Sequence, residues 1–149
     1  MALTFLDITP VRGNLALLPN QKILQGCVVS SNETATLVPG DVVTLATGDN
    51  ANQIVVKKAA VTDLPFGVVV ASAIKTGYAA GEHVSVLPEE GYVYLVAGGA
   101  IARGAKVQFN PTTGKVDDTT TASNGYVGIA LTTAAADGDF VIVQVKPSI

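Results

Sequence analysis

The sequence predicts an all-β fold, a single β-barrel or sandwich-like domain. Short runs rich in Val, Ile and Thr alternate with Gly, Pro and Asn turn signals at intervals of about 8–12 residues. No segment shows the capped, periodic apolar pattern of an amphipathic helix. Glycines also recur in the same order in both halves, which indicates that the domain is built from two pseudo-repeats.

The proposed duplication rests on four matched glycines and on the apolar residues that follow them. The first set is Gly26, Gly40, Gly67 and Gly81, and the second set is Gly91, Gly104, Gly128 and Gly138. Each is expected at a strand edge or at a turn that needs positive φ or close backbone approach. The predicted pseudo-repeats are residues 26–90 and 91–146 of a β-domain that covers residues 26–149. Chance similarity between Val- and Gly-rich strands is the alternative.

In the first unit, a strand is predicted wherever an apolar run lies between two turn signals. These runs are Ile23–Ser30, Val42–Leu45, Ile54–Lys58, Phe66–Ala73 and His83–Leu87. Pro39-Gly40-Asp41 is the turn signal before the second run. The run from Phe66 to Ala73 is almost continuously apolar, so it is expected to be a buried strand.

The second unit alternates more regularly between apolar and polar residues. In Lys106–Asn110, Val107 and Phe109 point one way and the polar residues point the other. A turn at 110–114 joins this strand to a short strand at Lys115-Val116, and two further strands follow around Val127–Leu131 and Val141–Val145. The Ala134–Ala136 run is compatible with one helical turn and little more.

Residues 1–25 lie outside the duplication and are expected to form an extended N-terminal arm. Pro10, Gly13 and Pro19 divide this segment into pieces too short for a stable helix. Its apolar content is too high for a disordered tail, so it is predicted to lie against a neighbouring subunit. The predicted partner-interface residues are Phe5, Leu6, Ile8, Val11 and Arg12. The alternative is that the arm covers an open end of its own β-domain.

Composition excludes several classes of partner. The net charge is −3 and the cationic residues are scattered, apart from Lys57-Lys58, so no basic face for nucleic acid is expected. No apolar run approaches the ~18 residues that span a bilayer, and the first residues do not resemble a secretory signal. Charged residues make up 14% of the chain and mean hydropathy is +0.43. Low charge favours either a Ser- and Thr-rich β-surface or a surface partly covered by partner subunits.

No constellation of residues predicts catalysis, a metal site or a cofactor. The single histidine, His83, lies in a strand at the position matched by Phe140, which favours packing over chemistry. Cys27 is the one cysteine and is expected to be a buried structural thiol. The adjacent carboxylates Glu89-Glu90 point to opposite faces if they lie on a strand, so they form a poor catalytic pair.

The pattern of the chain resembles the head-decoration, or structural cement, proteins of tailed bacteriophages. The resemblance covers roughly residues 20–146. It is carried by motifs beginning at Val38 (Val-Pro-Gly-Asp-Val-Val), Leu64 (Leu-Pro-Phe-Gly-Val-Val), Ala80 (Ala-Gly-Glu-His-Val-Ser-Val) and Asn124 (Asn-Gly-Tyr-Val-Gly-Ile-Ala). It implies a β-rich homotrimer on the outer surface of the virion that clamps neighbouring copies of the major capsid protein. It brings no catalytic residue.

Two functions of other classes stay open at this point. A carbohydrate- or host-surface-binding module is favoured if the four tyrosines cluster on one face. A duplicated β-barrel enzyme requires convergent polar groups around His83 or Asp41.

Overall fold

The computed structural model describes residues 10–16, 21–47, 52–118 and 126–146, and within these ranges the chain forms ten β-strands and no α-helix. The strands are β1 (Leu24–Val29), β2 (Val42–Leu45), β3 (Val55–Lys58), β4 (Gly67–Val69), β5 (His83–Leu87), β6 (Tyr92–Val96), β7 (Lys106–Asn110), β8 (Lys115–Asp118), β9 (Tyr126–Ala130) and β10 (Phe140–Val145). The predicted all-β class is confirmed. The described residues contain no helix long and apolar enough to cross a membrane.

The first five strands close into a barrel in the order β1-β3-β2-β4-β5. Strands β1 and β3 are parallel, with Val28 opposite Val55, and the other neighbours are antiparallel. Pairing of β1 with β5, which sets Cys27 opposite Val84, closes the barrel. Closure leaves no free sheet edge in this half, so its backbone hydrogen bonds are satisfied internally.

The second five strands form a sheet in the order β6-β10-β9-β7-β8. A parallel bridge between Ala97 and Val116 joins the end of β6 to β8, and the Gly98 N–H donates to the Val116 carbonyl over 2.8 Å. The two halves have the same strand order. If β6 is taken as the equivalent of β1, then β7, β8, β9 and β10 have the neighbours that β2, β3, β4 and β5 have in the barrel. Over the rest of β6, the edge that faces away from β10 is occupied by another part of the chain, as described below.

Three of the four glycine pairs occupy equivalent places in the two halves. Gly40 and Gly104 precede β2 and β7, Gly67 and Gly128 lie in β4 and β9, and Gly81 and Gly138 precede β5 and β10. The fourth pair differs, because Gly26 lies within β1 whereas Gly91 precedes β6. The shared strand order and these three pairs support duplication, which stays a proposal.

The buried apolar residues form two clusters, of which one joins the two halves. One lies within the barrel: Cys27, Val29, Leu37, Val43, Val56, Val69, Tyr78, Val84 and Val86. The other combines residues of the second sheet with Val42, Ala59, Val68, Val70 and Leu87 of the first half. Successive residues of β2 and β4 therefore serve different clusters, since side chains alternate between the two faces of a strand. Burial on both faces explains why these strands are consecutive valines.

Strand β6 (Tyr92–Val96) has no counterpart among the predicted runs, and the structure departs from the sequence prediction in further places. Strand β1 begins at Leu24, inside the segment predicted to be an arm. Strand β4 ends at Val69, four residues earlier than the predicted end of the run at Ala73. The chain leaves β5 here, because the Ala71 N–H donates to the Gly13 carbonyl over 3.0 Å. Ala134 lies in a β-bridge with Ile101 and does not form a helical turn.

The close approach of β9 to β10 generates a stability prediction. A Cβ atom at Gly128 would lie 1.8 Å from the Gln144 carbonyl oxygen and 2.8 Å from the Lys146 nitrogen. Gly128→Ala is therefore expected to push the two strands apart and lower the free energy of unfolding by roughly 1–3 kcal/mol or more.

Denaturant unfolding measures this change, with Gly99→Ala as the matched control. A Cβ atom at Gly99 meets no heavy atom within 4 Å, so the control should stay within about 0.5 kcal/mol of the wild type. Equal stability of the two variants would contradict the strand spacing described here.

Candidate functional site

The predicted interface residues divide between described and undescribed parts of the chain. Phe5, Leu6 and Ile8 lie outside the described residues. Val11 and Arg12 lie in the N-terminal segment, defined here as residues 10–16, and their side chains have different environments. Val11 is 47% exposed, whereas the Arg12 side chain is 22% exposed and turns into the molecule.

Arg12 joins three segments that are distant in sequence. Its Nε donates to the Gly114 carbonyl over 3.1 Å, its Nη1 to the Pro39 carbonyl over 2.6 Å, and its Nη2 to Asp41 Oδ1 over 2.8 Å. Gly114 lies in the β7–β8 turn, and Pro39 and Asp41 belong to the turn before β2. Arg12, predicted at a partner interface, thus links the N-terminal segment to both halves of its own chain. We call this cluster the Arg12 junction.

Asp41 is the buried anion of the Arg12 junction. Its side chain is 1% exposed, which requires compensation because a carboxylate loses its hydration on burial. Oδ1 accepts from Arg12, and Oδ2 accepts from the Val38 N–H over 2.9 Å. Lys58 Nζ lies 3.5 Å from Oδ2 and supplies a second positive charge. Both oxygens are therefore paired, and the turn before β2 is fixed in place.

Gly40 lets the Arg12 side chain cross this turn. Its φ is +89°, a conformation that side chains disfavour, and an added Cβ would lie 2.3 Å from Arg12 Cγ. The sequence predicts a turn glycine here from Pro39-Gly40-Asp41, but it does not reveal the arginine that covers it.

The rest of the N-terminal segment extends the second sheet along β6. The Gly13 N–H donates to the Tyr94 carbonyl over 2.9 Å, the Tyr94 N–H to Asn14 over 2.9 Å, and the Ala16 N–H to Tyr92 over 3.0 Å. Leu15 stands opposite Val93 in an antiparallel bridge. Residues 12–16 therefore contact their own domain, where they cover the edge of β6, whereas the alternative to a neighbour-binding arm was a cover for an open end of that domain.

Gln21 continues this pattern through its side chain. Its Nε2 donates to the Ala16 carbonyl over 3.0 Å and to the Tyr92 carbonyl over 2.8 Å, and its Oε1 accepts from the Tyr92 N–H. A side-chain amide carries the same donor and acceptor as a peptide group, so Gln21 serves the end of β6 as a further strand residue would.

Polar groups do converge on Asp41, as the enzyme alternative required, but its side chain is 1% exposed and both oxygens are paired within the chain, so the carboxylate is not presented to a substrate. The described residues contain no group of three or more His, Cys, Asp and Glu side chains that could hold a metal ion. His83 is exposed at the start of β5, as Phe140 is at the start of β10, so its packing role in a buried core is not found. Cys27 is 1% exposed, and burial raises the pKa of its thiol, which disfavours the nucleophilic thiolate.

The tyrosines do not form one exposed platform. Tyr78 and Tyr126 are buried, while Tyr92 and Tyr94 are half-buried on β6. Tyr94 packs edge-on against Phe140, with 6.5 Å between ring centroids. The clustering that would favour a carbohydrate-binding module is therefore absent from these four residues.

Comparison with known proteins identifies one family and one related fold. Residues 10–146 match the model of a phage protein family described as structural cement protein (E217 gp24/Pam3 gp6). No curated protein sequence matches the chain. Among solved structures it is similar to the head fiber gp8.5 N base of bacteriophage phi29, with a TM-score of 0.59 and 18% sequence identity. That likeness covers 85% of this chain and 97% of the other, and at this identity it concerns the fold alone.

The Arg12 junction generates the second prediction. Arg12→Ala leaves Asp41 buried with one neighbouring cation and removes three hydrogen bonds. We expect the free energy of unfolding to fall by about 2–3 kcal/mol, at the upper end for bonds to a charged group. Arg12→Lys should recover part of this loss, because an ammonium keeps the charge but not the three directed bonds.

Chemical denaturation of the variants checks this expectation. Lys115→Ala is the control, because it breaks an ion pair with Asp137 whose side chains are 33% and 64% exposed. Such a surface pair contributes about 0–1 kcal/mol. If Arg12→Ala lowered the free energy of unfolding by no more than Lys115→Ala does, that result would contradict the role assigned to Arg12.

Proposed function

The chain belongs to the phage structural cement protein family, and from this we propose that it binds the outside of a phage head and stabilises contacts between major capsid subunits. The family match over residues 10–146 is the observation that carries the proposal. A cement protein associates with capsid proteins, and the virion capsid is the corresponding location. Synthesis in the host bacterial cytoplasm, and the absence of nucleic-acid and membrane partners, are parts of the same proposal.

The proposed action is mechanical and not enzymatic. A cement subunit resists separation of the proteins that it joins, so it must not deform between its contact points. The Arg12 junction connects the N-terminal segment, the turn before β2 and the β7–β8 turn, while a shared apolar cluster joins the two halves. Cooperative cores of this kind transmit strain because they are close-packed.

We also propose that residues 1–9 make a contact with a partner. The sequence predicts an arm over residues 1–25, and we keep the proposed partner contact for residues 1–9 because residues 12–16 form hydrogen bonds with their own chain. Phe5, Leu6 and Ile8 belong to that part. Burying a large apolar side chain contributes roughly 1.5–3 kcal/mol, which offsets part of the cost of ordering the chain around it.

The third prediction tests capsid binding and the extent of the arm together. The full chain should cosediment with heads of its phage that lack it, and it should raise the temperature at which those heads release DNA. Deletion of residues 2–9 should keep the melting temperature of the free subunit and weaken capsid binding about tenfold or more.

Deletion of residues 2–16 is the matched comparison. It removes Arg12 and the strand along β6, so the free subunit itself should melt at lower temperature. Failure of the full chain to bind would reject the cement function. Unchanged affinity after deletion of residues 2–9 would reject a partner contact for that part alone.

The fourth prediction concerns oligomeric state. We propose a homotrimer: the few charges and several exposed large apolar side chains favour oligomerisation, and the number three is what the resemblance to phage head-decoration proteins implies. Those residues are Val11, Leu45, Ile54, Val61, Leu64, Ile74 and Phe140. Sedimentation equilibrium at micromolar concentration should give three times the mass of 15.2 kDa. A single species of 15.2 kDa would reject a trimer formed before capsid binding.

A further inference from the structure

The strand registers of the two halves agree residue by residue. Leu45 stands opposite Val56 in the first half, and Phe109 stands opposite Val116 in the second. The registers of β4 with β5 and of β9 with β10 correspond in the same way. Each of these positions in one half therefore has an equivalent in the other, and the surroundings of two equivalent residues can be compared directly.

The first half contributes an outer face to the contact between the halves. Val68, Val70 and Leu87, in or beside β4 and β5, point away from the barrel interior, because their neighbours Val69 and Val86 point into it. Val68 and Leu87 are 0% exposed and Val70 is 9% exposed. They are buried in the cluster that consists mainly of residues of the second sheet.

The second half contributes one end of its sheet to the same contact. Val93, Phe109 and Val127 lie at the end where β6 and β9 begin and β7 ends. All three belong to the cluster that contains Val68 and Leu87, and Phe109, the most exposed of them, is 3% exposed. Within the chain, an end of the second half is thus packed on an outer face of the first half.

The first barrel has an equivalent end that is more exposed. Leu45 is the equivalent of Phe109, but Leu45 is 55% exposed and Phe109 is 3% exposed. Leu24 and Phe66 lie at the same end of the barrel and are half-buried. The first barrel therefore ends in apolar side chains that are partly open to solvent. We call Leu24, Leu45 and Phe66 the first-barrel end.

The second half has an outer face equivalent to the one that is buried in the first half. Ile129 and Leu131 take the positions of Val68 and Val70, yet they are half-buried and belong to neither apolar cluster. Ile142 is half-buried next to Leu131, whose N–H donates to the Ile142 carbonyl over 2.8 Å. We call Ile129, Leu131 and Ile142 the β9–β10 face.

Polar side chains border the β9–β10 face. Lys106 and Gln144 stand on either side of Ile129 in the sheet. Lys106 Nζ lies 5.1 Å from the centre of the Tyr126 ring, so its charge has a partner within the chain. An apolar centre with a polar border is the usual composition of a contact between subunits.

We propose that copies of this chain associate head to tail, with the first-barrel end of one copy packed on the β9–β10 face of the next. The contact inside the chain identifies the occupant, because the same chain already packs an equivalent end on an equivalent face. The inference rests on the proposed homotrimer and specifies its interface. A head-to-tail contact forms a closed ring when the rotation between copies allows it, and in the proposed trimer three copies close the ring.

The fifth prediction is the loss of the trimer in Leu45→Glu and in Leu131→Glu. Each change places a carboxylate in an apolar contact, where it loses its hydration. Sedimentation equilibrium of the full-length variants at micromolar concentration should give 15.2 kDa in place of three times that mass. Ile74→Glu is the matched control and should stay trimeric, because Ile74 is 96% exposed and lies outside both surfaces.

Ile129→Thr is a second variant of the β9–β10 face, and it keeps a β-branched side chain that suits a strand. It should weaken association about tenfold or more, because it removes apolar surface from the contact. Its far-ultraviolet circular dichroism should match that of the wild type, which separates loss of association from loss of the fold.

A mixture of Leu45→Glu and Leu131→Glu distinguishes a head-to-tail contact from one that joins identical surfaces. The intact first-barrel end of the Leu131→Glu chain can still pack on the intact β9–β10 face of the Leu45→Glu chain. The mixture should therefore contain pairs of twice 15.2 kDa with one chain of each variant, although each variant alone is monomeric.

Several results would overturn the head-to-tail contact while leaving the cement function intact. They are a trimer retained by Leu45→Glu or by Leu131→Glu, wild-type association of Ile129→Thr, a mixture that stays monomeric, and loss of the trimer in Ile74→Glu. A monomeric wild type would reject the proposed trimer and this contact together. Capsid binding is measured separately by cosedimentation, so its failure would reject the cement function without changing the result on the contact between copies.

Discussion

The buried carboxylate of Asp41 is the constraint on which the arrangement of the molecule depends. A carboxylate that is 1% exposed must be paired, and its partners come from three places in the sequence. Arg12 approaches from the N-terminal segment, Lys58 from β3 and the Val38 N–H from the same turn. Only one nitrogen of the Arg12 guanidinium donates to Asp41. The other two donate to the Pro39 and Gly114 carbonyls and so extend the cluster. A local requirement for charge compensation thereby fixes the relative positions of three chain segments.

The buried apolar residues connect the two halves at a different place from the Arg12 junction. The barrel has an interior cluster of its own, while the second sheet shares its cluster with residues of β2, β4 and β5. Because β2 and β4 are buried on both faces, they belong to both cores at once. Separating the halves would expose apolar surface, and it would also break either the bond from Arg12 to Gly114 or the bonds from Arg12 to Pro39 and Asp41. These two costs act at different places along the same interface and make the halves one mechanical unit.

This construction suits a protein whose role is to hold other proteins in position. The described residues contain no group of three or more His, Cys, Asp and Glu side chains that could hold a metal ion, and the thiol of Cys27 is buried. The two halves share their strand order and differ in the lengths of their connections. Binding features are commonly carried by loops on a rigid framework, because a loop can change without disturbing the core.

The sequence by itself determined most of the strands, though not β6, and the tertiary structure decided what residues 10–16 do. Predicted and observed bounds agree at Val42–Leu45, His83–Leu87 and Lys106–Asn110, since side-chain alternation and turn glycines are short-range signals. The sequence also indicated the family through motifs within those strands. It could not assign Arg12, which resembles any exposed arginine until Asp41 and Gly114 are brought to it, and Gly114 is 102 residues away. Nor could it place residues 12–16 along β6, because an extended segment satisfies its hydrogen bonds equally well on its own sheet or on a neighbour's. That choice depends on which sheet edge the folded chain leaves open, and the order of the second sheet, in which β6 lies at an edge, is set by long-range strand pairing.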